Sequence, residues 1–164
     1  MNGVLKDEAT YFGDNEKYTG DSGSSTNMWV IEDTYDFIAA ASLQYDNGAY
    51  MRLVNDIDFN EHSTYKMGFN NKSFGAGYKR CLYGDGHKIK NIVELNGSGV
   101  FCFYYMENCD FVNLVQINCT AFPISLYGSG NNGTAKYCNF GMYLSNSPFT
   151  PDGYCKGCTF NVKG

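Results

Sequence analysis

The sequence predicts an all-β fold, a solenoid of stacked parallel strands, on three observations. The first is composition: of 164 residues, 19 are Gly, 14 Tyr and 12 Phe, asparagine is abundant, and only 3 are Pro. Gly and Asn enter left-handed backbone conformations at least cost, and aromatic residues favour strands. The chain therefore reads as many short strands joined by tight turns. The second observation is internal repetition. "HKIKNIVELNGSGV", from His87, aligns with "CDFVNLVQINCTAF", from Cys109, at an offset of 22 residues. Ile89 falls on Phe111, Asn91 on Asn113, Ile92 on Leu114, Val93 on Val115, Leu95 on Ile117 and Val100 on Phe122. The third is alternation inside the unit. Val115, Ile117 and Cys119 alternate with Gln116 and Asn118, as in a strand with one buried face.

The repeat extends beyond that pair. "C-x-F" recurs at Cys109 to Phe111, Cys138 to Phe140 and Cys158 to Phe160, and "LVNDIDF" places Ile57 in the position of Ile89 one unit earlier. The longer intervals hold insertions at 60–77 and 128–133. Units of this length, each with period-two patterning, bury a continuous core only by stacking, which puts like residues in columns. Asparagine is expected at a sharp bend, with cysteine and phenylalanine inside. The leucine spacing of leucine-rich repeats is absent, a propeller needs longer units, and a β-sandwich is the competing architecture.

In chain order, residues 1–27 have linker composition and are expected to form an extended N-terminal arm, leaving 28–164 as one domain. Trp29 to Ile31 is a short apolar run. A helix is expected over about 34–46, capped by Asp33 or Thr34, with Asp36 in its first turn and Phe37, Ile38, Ala41 and Tyr45 as its apolar stripe. The coils of the repeat follow, to the final one at "CTFNVKG", from Cys158.

These residues also carry a family resemblance. "YMRLVNDIDF", then "CLYGDGHKIKNI" and "GSGVFCF", resemble the opening of right-handed parallel β-helix domains of GLUG-repeat bacterial surface proteins and phage tail or capsid-associated proteins. The match runs over roughly residues 29 to 122, with one residue missing from the glycine turn and the later coils drifting to "C-x-F". The resemblance implies a right-handed solenoid of about five coils, its first coil lidded by the 34–46 helix.

Four groups invite chemistry. Asp85 and His87, in "GDGH", read as half an acid–base site or as a turn. With no nucleophile, second acid or oxyanion donor beside them, and with Gly84 and Gly86 to supply positive φ, a turn is expected. Asp56 and Asp58 flank an inward Ile57 and so share the outer face, a geometry tolerable for the carboxylate pair of a glycosidase or for a cation. The matching positions of the next units add no acid cluster, so a solvated strand is expected. "CKGC" at Cys155 to Cys158 is one pair of thiols where a structural zinc needs four ligands. In "FCFYY", either Phe101, Phe103 and Tyr105 or Cys102 and Tyr104 face outward, and an outward aromatic row is a platform for a sugar or a protein. No catalytic residue, cofactor or metal is assigned.

The bulk numbers exclude some classes. A net charge of −5 with no basic run argues against nucleic acid, and no apolar stretch reaches membrane-spanning length. The start lacks the apolar core of a signal peptide, and seven cysteines, an odd number, read as reduced thiols. The last coil is expected to be uncapped, leaving strand edges for copies of the chain or for other proteins. These features, with the resemblance, lead to the expectation of a non-enzymatic virion protein made in a host cytoplasm, with loops displayed towards a host carbohydrate or a neighbouring subunit. A polysaccharide-degrading enzyme and a bacterial adhesin fragment are the alternatives.

Overall fold

The computed structural model describes residues 28–34, 36–37, 49–59, 80–95, 101–119, 124–125, 127–128, 131–147, 149 and 153–164. The expected arm at 1–27, most of the expected 34–46 helix and the 60–77 insertion lie outside them.

Parallel β structure dominates what is described. β1 (Trp29–Ile31) and β2 (Ala49–Leu53) begin a first sheet, and β3 (Ile57–Asp58) begins a second. The chain returns to the first sheet as β4 (Arg80–Tyr83) and crosses again as β5 (Lys88–Lys90) and β6 (Val93–Leu95). After β7 (Phe101–Cys102), it adds β8 (Tyr105–Glu107) to the first sheet and β9 (Asp110–Ile117) to the second. β10 (Ile124–Ser125) lies parallel to β7, while β11 (Tyr127–Gly128) and β12 (Asn131–Asn132) form an antiparallel pair at the 128–133 insertion. The alternation resumes with β13 (Thr134–Lys136), β14 (Asn139–Ser145), β15 (Tyr154–Lys156) and β16 (Thr159–Lys163). The first sheet runs β1-β2-β4-β8-β13-β15. The second runs β3-β5-β9-β14-β16, with β6 also on β9, and every pairing in both is parallel.

The register follows the sequence repeat. Ile57 pairs with Ile89, Ile89 with Phe111, Phe111 with Phe140 and Phe140 with Phe160, and the first four of these side chains are buried. The Phe111 and Phe140 rings stack at 5.2 Å with 2° between planes, and Phe140 and Phe160 at 5.0 Å with 7°. On the first sheet, Trp29, Met51, Leu82, Met106, Ala135 and Cys155 make the matching column. Among the described residues, the buried apolar side chains form one cluster drawn from successive passes.

The corners explain the asparagines. Asn91, Asn108, Asn113, Asn118 and Asn146 all have φ between 48° and 64°, the left-handed region that asparagine tolerates better than most residues. Their backbone amides still serve the stack: Asn91 N–H donates to the Val112 carbonyl, Asn108 to Lys136 and Asn118 to Ser145. The ladder thus continues around each bend. Gly157 needs to be glycine twice over, because φ is +64° and a Cβ would lie 2.7 Å from the Tyr137 ring.

Three local expectations are corrected. Gly84 does not supply a positive φ; it lets chains touch, since a Cβ there would meet the Asn108 carbonyl oxygen at 2.3 Å. Val115 and Ile117 are only half-buried, whereas Leu114 and Gln116 are fully buried. The left-handed Asn113 adds one outward residue, so the alternation restarts out of phase after it. In "FCFYY", Phe103 is buried while Tyr105 is partly exposed, although both have the same parity. A bend at Tyr104 between β7 and β8 breaks the alternation.

Of the expected 34–46 helix, only a turn at Asp33 to Phe37 falls among the described residues. The Asp36 N–H donates to Asp33 Oδ1 at 2.9 Å, and the Phe37 N–H to the Asp33 carbonyl at 3.1 Å. Phe37 is fully buried, edge-on to Phe59 at 6.0 Å and tilted against Phe103 at 6.3 Å.

Asn113→Ala is expected to destabilise the protein by about 1–2 kcal/mol, the cost of a side chain with no local hydrogen bond in the left-handed region. Asn113→Gly should cost less. Urea midpoints for the two variants decide it: if alanine is tolerated as well as glycine, the corner conformation is not what asparagine supplies.

Candidate functional site

The polar residues singled out from the sequence meet at the corner where the turn before β3 stacks against the turn between β4 and β5. Asp85 and Gly86 have φ of 50° and 86°, and the His87 N–H closes onto the Gly84 carbonyl at 2.8 Å. Two consecutive positive φ values bridged in this way make a type I′ turn. Asp85 and His87 leave that turn for different partners. Asp85 Oδ2 is 2.7 Å from Arg52 Nε, and His87 Nδ1 is 3.5 Å from Asp56 Oδ1. Asp56 also takes Lys90 Nζ at 2.8 Å and the Lys88 N–H at 3.0 Å.

Asp56 and Asp58, the carboxylates considered as a pair, have separate environments. Asp58 Oδ1 accepts from Asn91 Nδ2 at 2.7 Å, and Asn91 Oδ1 accepts from Asn113 Nδ2 at 3.2 Å. This ladder joins three successive passes of the chain. Similar ladders run from Asn146 to Asn118 at 2.9 Å and from Asn139 to Asp110 at 2.6 Å, with the Thr159 hydroxyl donating to Asn139. The Lys90 ammonium, then the Lys88 amide, hold the Asp56 carboxyl below the usual carboxylate range. A general acid needs the opposite shift, and a carboxylate so stabilised is a weak base. Its pairing with Lys90 thus favours the ionised form of Asp56.

A second polar surface, on the outer face of the first sheet, was less legible in the sequence. The Tyr83 and Tyr105 rings lie 5.5 Å apart, Lys136 Nζ sits 5.0 Å above the Tyr105 ring, and the Tyr105 hydroxyl donates to Glu107 Oε2 at 2.6 Å. Burial, followed by the Glu107 carboxylate, pushes the Tyr105 phenol up to about 12. Only the register links these residues: Tyr83 pairs with Glu107, and Glu107 with Lys136. The outward row expected at 101–105 is therefore a column across strands, with Tyr105 its one member from that segment among the described residues.

The cysteines line the interior. Cys109 and Cys138 are fully buried beneath Cys158, and Cys138 and Cys158 donate to backbone carbonyls. Burial pushes the Cys109 thiol well up, and the Cys138 thiol to about 12. Cys155 stands on the other sheet, in line with Ala135, and is exposed. The two cysteines of "CKGC" thus belong to different columns, and among the described residues no cluster of three or more His, Cys, Asp or Glu side chains is placed to hold a metal.

Comparison of the chain with protein-family models, with curated proteins and with solved structures finds no match.

Two outcomes follow from this chemistry. Because its folded pKa is depressed, Asp56 contributes stability above its unfolded value near about 3.9, and that contribution disappears as pH falls through the folded value. Asp56→Asn should therefore be less stable than wild type by a constant amount near neutrality, under about 1 kcal/mol for so exposed a pair, with the gap closing in acid. Denaturation curves from pH 7 to about pH 3 test the sign. In native protein at about pH 8, a thiol reagent should modify Cys155 readily and reach Cys109 and Cys138 only on unfolding, because the thiolate is the nucleophile. Mass spectrometry of the modified peptides reads it.

Proposed function

We propose that the chain is a right-handed parallel β-helix of about five coils and that it serves as a stiff, non-enzymatic structural module of a virion. Its place would be in a phage tail or baseplate, or associated with a capsid. The observation that carries the reading is the register: Ile57, Ile89, Phe111, Phe140 and Phe160 form one file across five consecutive strands of the second sheet. Chain that alternates between two parallel sheets while keeping such files is a coil, and parallel crossovers are right-handed in about 98% of cases. The helical turn at Asp33, with Phe37 packed against Phe59 and Phe103, suits a lid on the first coil. Stiffness follows from laddered corners as well as laddered strands.

The virion reading rests on the resemblance of residues 29 to 122 to such domains and on buried thiols, which suit a reducing place of synthesis such as a host cytoplasm. Its partners would be copies of itself or other virion proteins, reached through the arm at 1–27 and the last coil, with a host carbohydrate at the displayed loops. A polysaccharide-degrading enzyme working at Asp56 and Asp58 fits less well, since one carboxylate is held ionised by lysine and the other is tied into an amide ladder. An adhesin fragment would use the same scaffold on a bacterial surface.

Among the described residues, β15 pairs on one edge only, with β13, and β16 on one edge only, with β14; Tyr154 and Val162 are exposed there. Strand edges of this kind associate where nothing else covers them. Sedimentation of the purified chain should show concentration-dependent self-association, and Tyr154→Lys with Val162→Lys should shift it towards monomer. A monomer at every concentration, or release of reducing ends from a polysaccharide that Asp56→Asn abolishes, would overturn the structural reading. Peptide mass spectrometry of purified particles tests the location.

A further inference from the structure

The outer face of the second sheet has a feature that a purely structural role does not require. The left-handed bend at Asn91 and Asn113 turns that face into a trough of about 690 Å³ crossing β9, β14 and β16 along the stacking direction. A volume of that order is usual for small-molecule sites, roughly 300–1,000 Å³. Its floor includes Gly141, which sits at the register shift between Phe140 and Met142 where β14 meets the bulge of β9. Gly141 is outside the left-handed region, and a Cβ there would meet only the Phe111 carbonyl oxygen, at an ordinary 3.6 Å. What glycine does at this position is leave the trough open.

The two walls differ. One is the chain of hydrogen bonds from Thr159 through Asn139 to Asp110, which holds amide and hydroxyl groups in fixed orientations. The other carries Tyr143, 47% exposed, beside Val115 and Lys163. Fixed planar amides opposite a tyrosine face match a ring that has hydroxyls on its rim and C–H groups on its faces. The lining has one carboxylate, Asp110, and one ammonium, Lys163, so it favours neither a polyanion nor a polycation. Along β9 and β14 an extended peptide has little to bind, because their backbone groups pair in the parallel ladders; β16, at the trough's margin, pairs on one edge only among the described residues. The rungs recur at about 4.8 Å, close to the length of one sugar unit, so a linear chain of sugars laid along the trough meets an equivalent position at each rung.

We propose that this trough binds an uncharged oligosaccharide, with Tyr143 as the stacking face, the Asp110–Asn139–Thr159 wall as the hydroxyl-reading side and Gly141 as the opening. This deepens the display reading by naming the ligand class and the face that takes it, and it rests on that reading only in requiring the face to stay open in the assembly.

The test uses the full chain and a panel of short linear neutral oligosaccharides: β-1,4-glucans, α-1,4-glucans, mannans and N-acetylglucosamine oligomers, with uronic-acid oligomers alongside. Glycan-array screening followed by calorimetric titration should find a neutral ligand. Gly141→Trp should abolish its binding, and Tyr143→Ala should weaken it about tenfold, the value of one aromatic stacking contact. Val30→Ala, on the other sheet, should leave it unchanged. Thermal melts confirm that the variants are folded, and Tyr143→Ala carries the test if Gly141→Trp does not fold. Binding of only the acidic oligomers, of none, or with undiminished affinity in the folded trough variants overturns the proposal. Loss of the trough site with self-association intact would remove this inference and leave the structural reading standing.

Discussion

The stack depends on one constraint: each pass of the chain must present its backbone to the next in parallel register, around corners as well as along strands. A flat strand can do this with any suitable residue. A corner can do it only if the chain reverses direction without hiding its amide, and the left-handed region meets that need in a single residue. Asn91, Asn108 and Asn118 turn there while their N–H groups reach the carbonyls of the following pass. The amide side chains of Asn91 and Asn113 then link to each other, so the residue that makes the bend also ties it to its neighbour.

The distribution of chemistry over the molecule follows from that arrangement. Positions facing inward recur every pass and are mostly apolar, which is why Cys109 and Cys138, whose thiols burial pushes up, sit beside the stacked phenylalanines. Apart from the buried Arg80 and Asp36, the described charges lie on the outside. There the same register places opposite signs together: Lys90 reaches Asp56 across one rung, and Arg52 reaches the Asp85 turn. Such pairs hold turns in place, and the depression of the Asp56 pKa is a consequence of that packing. The bends also give the outer surface its relief, since a sheet folded at Asn113 has a trough where a flat one would have none.

Much of this could be read from the chain because stacking makes sequence spacing and spatial neighbourhood the same thing. Aligning Ile89 with Phe111 and Asn91 with Asn113 on the page is also aligning them in the sheet, and the bends fell where asparagine recurred. Two of the failures share a cause. Alternation was carried through residues at which the backbone breaks it: Asn113 shifted the phase so that Gln116, not Val115, is buried, and Tyr104 separated Phe103 from Tyr105. Gly84 was assigned conformational freedom when close approach to Asn108 is what excludes a side chain. The candidate sites were legible as residue types, but their partners were not. Nothing in "GDGH" says that the aspartate belongs to Arg52 and the histidine to Asp56.

The sequence alone determined the all-β class, the repeat, the order of the columns and the position of the corners, because these depend on local conformational preference and on spacing along the chain. Tertiary structure decided which face of each strand is buried after a bend, which charges pair, and that Tyr83, Glu107 and Lys136 share a surface. It also decided that a glycine in the middle of β14 opens a trough. The physical reason is that these properties belong to contacts between passes, and a contact is fixed only when the backbone geometry of both partners is known.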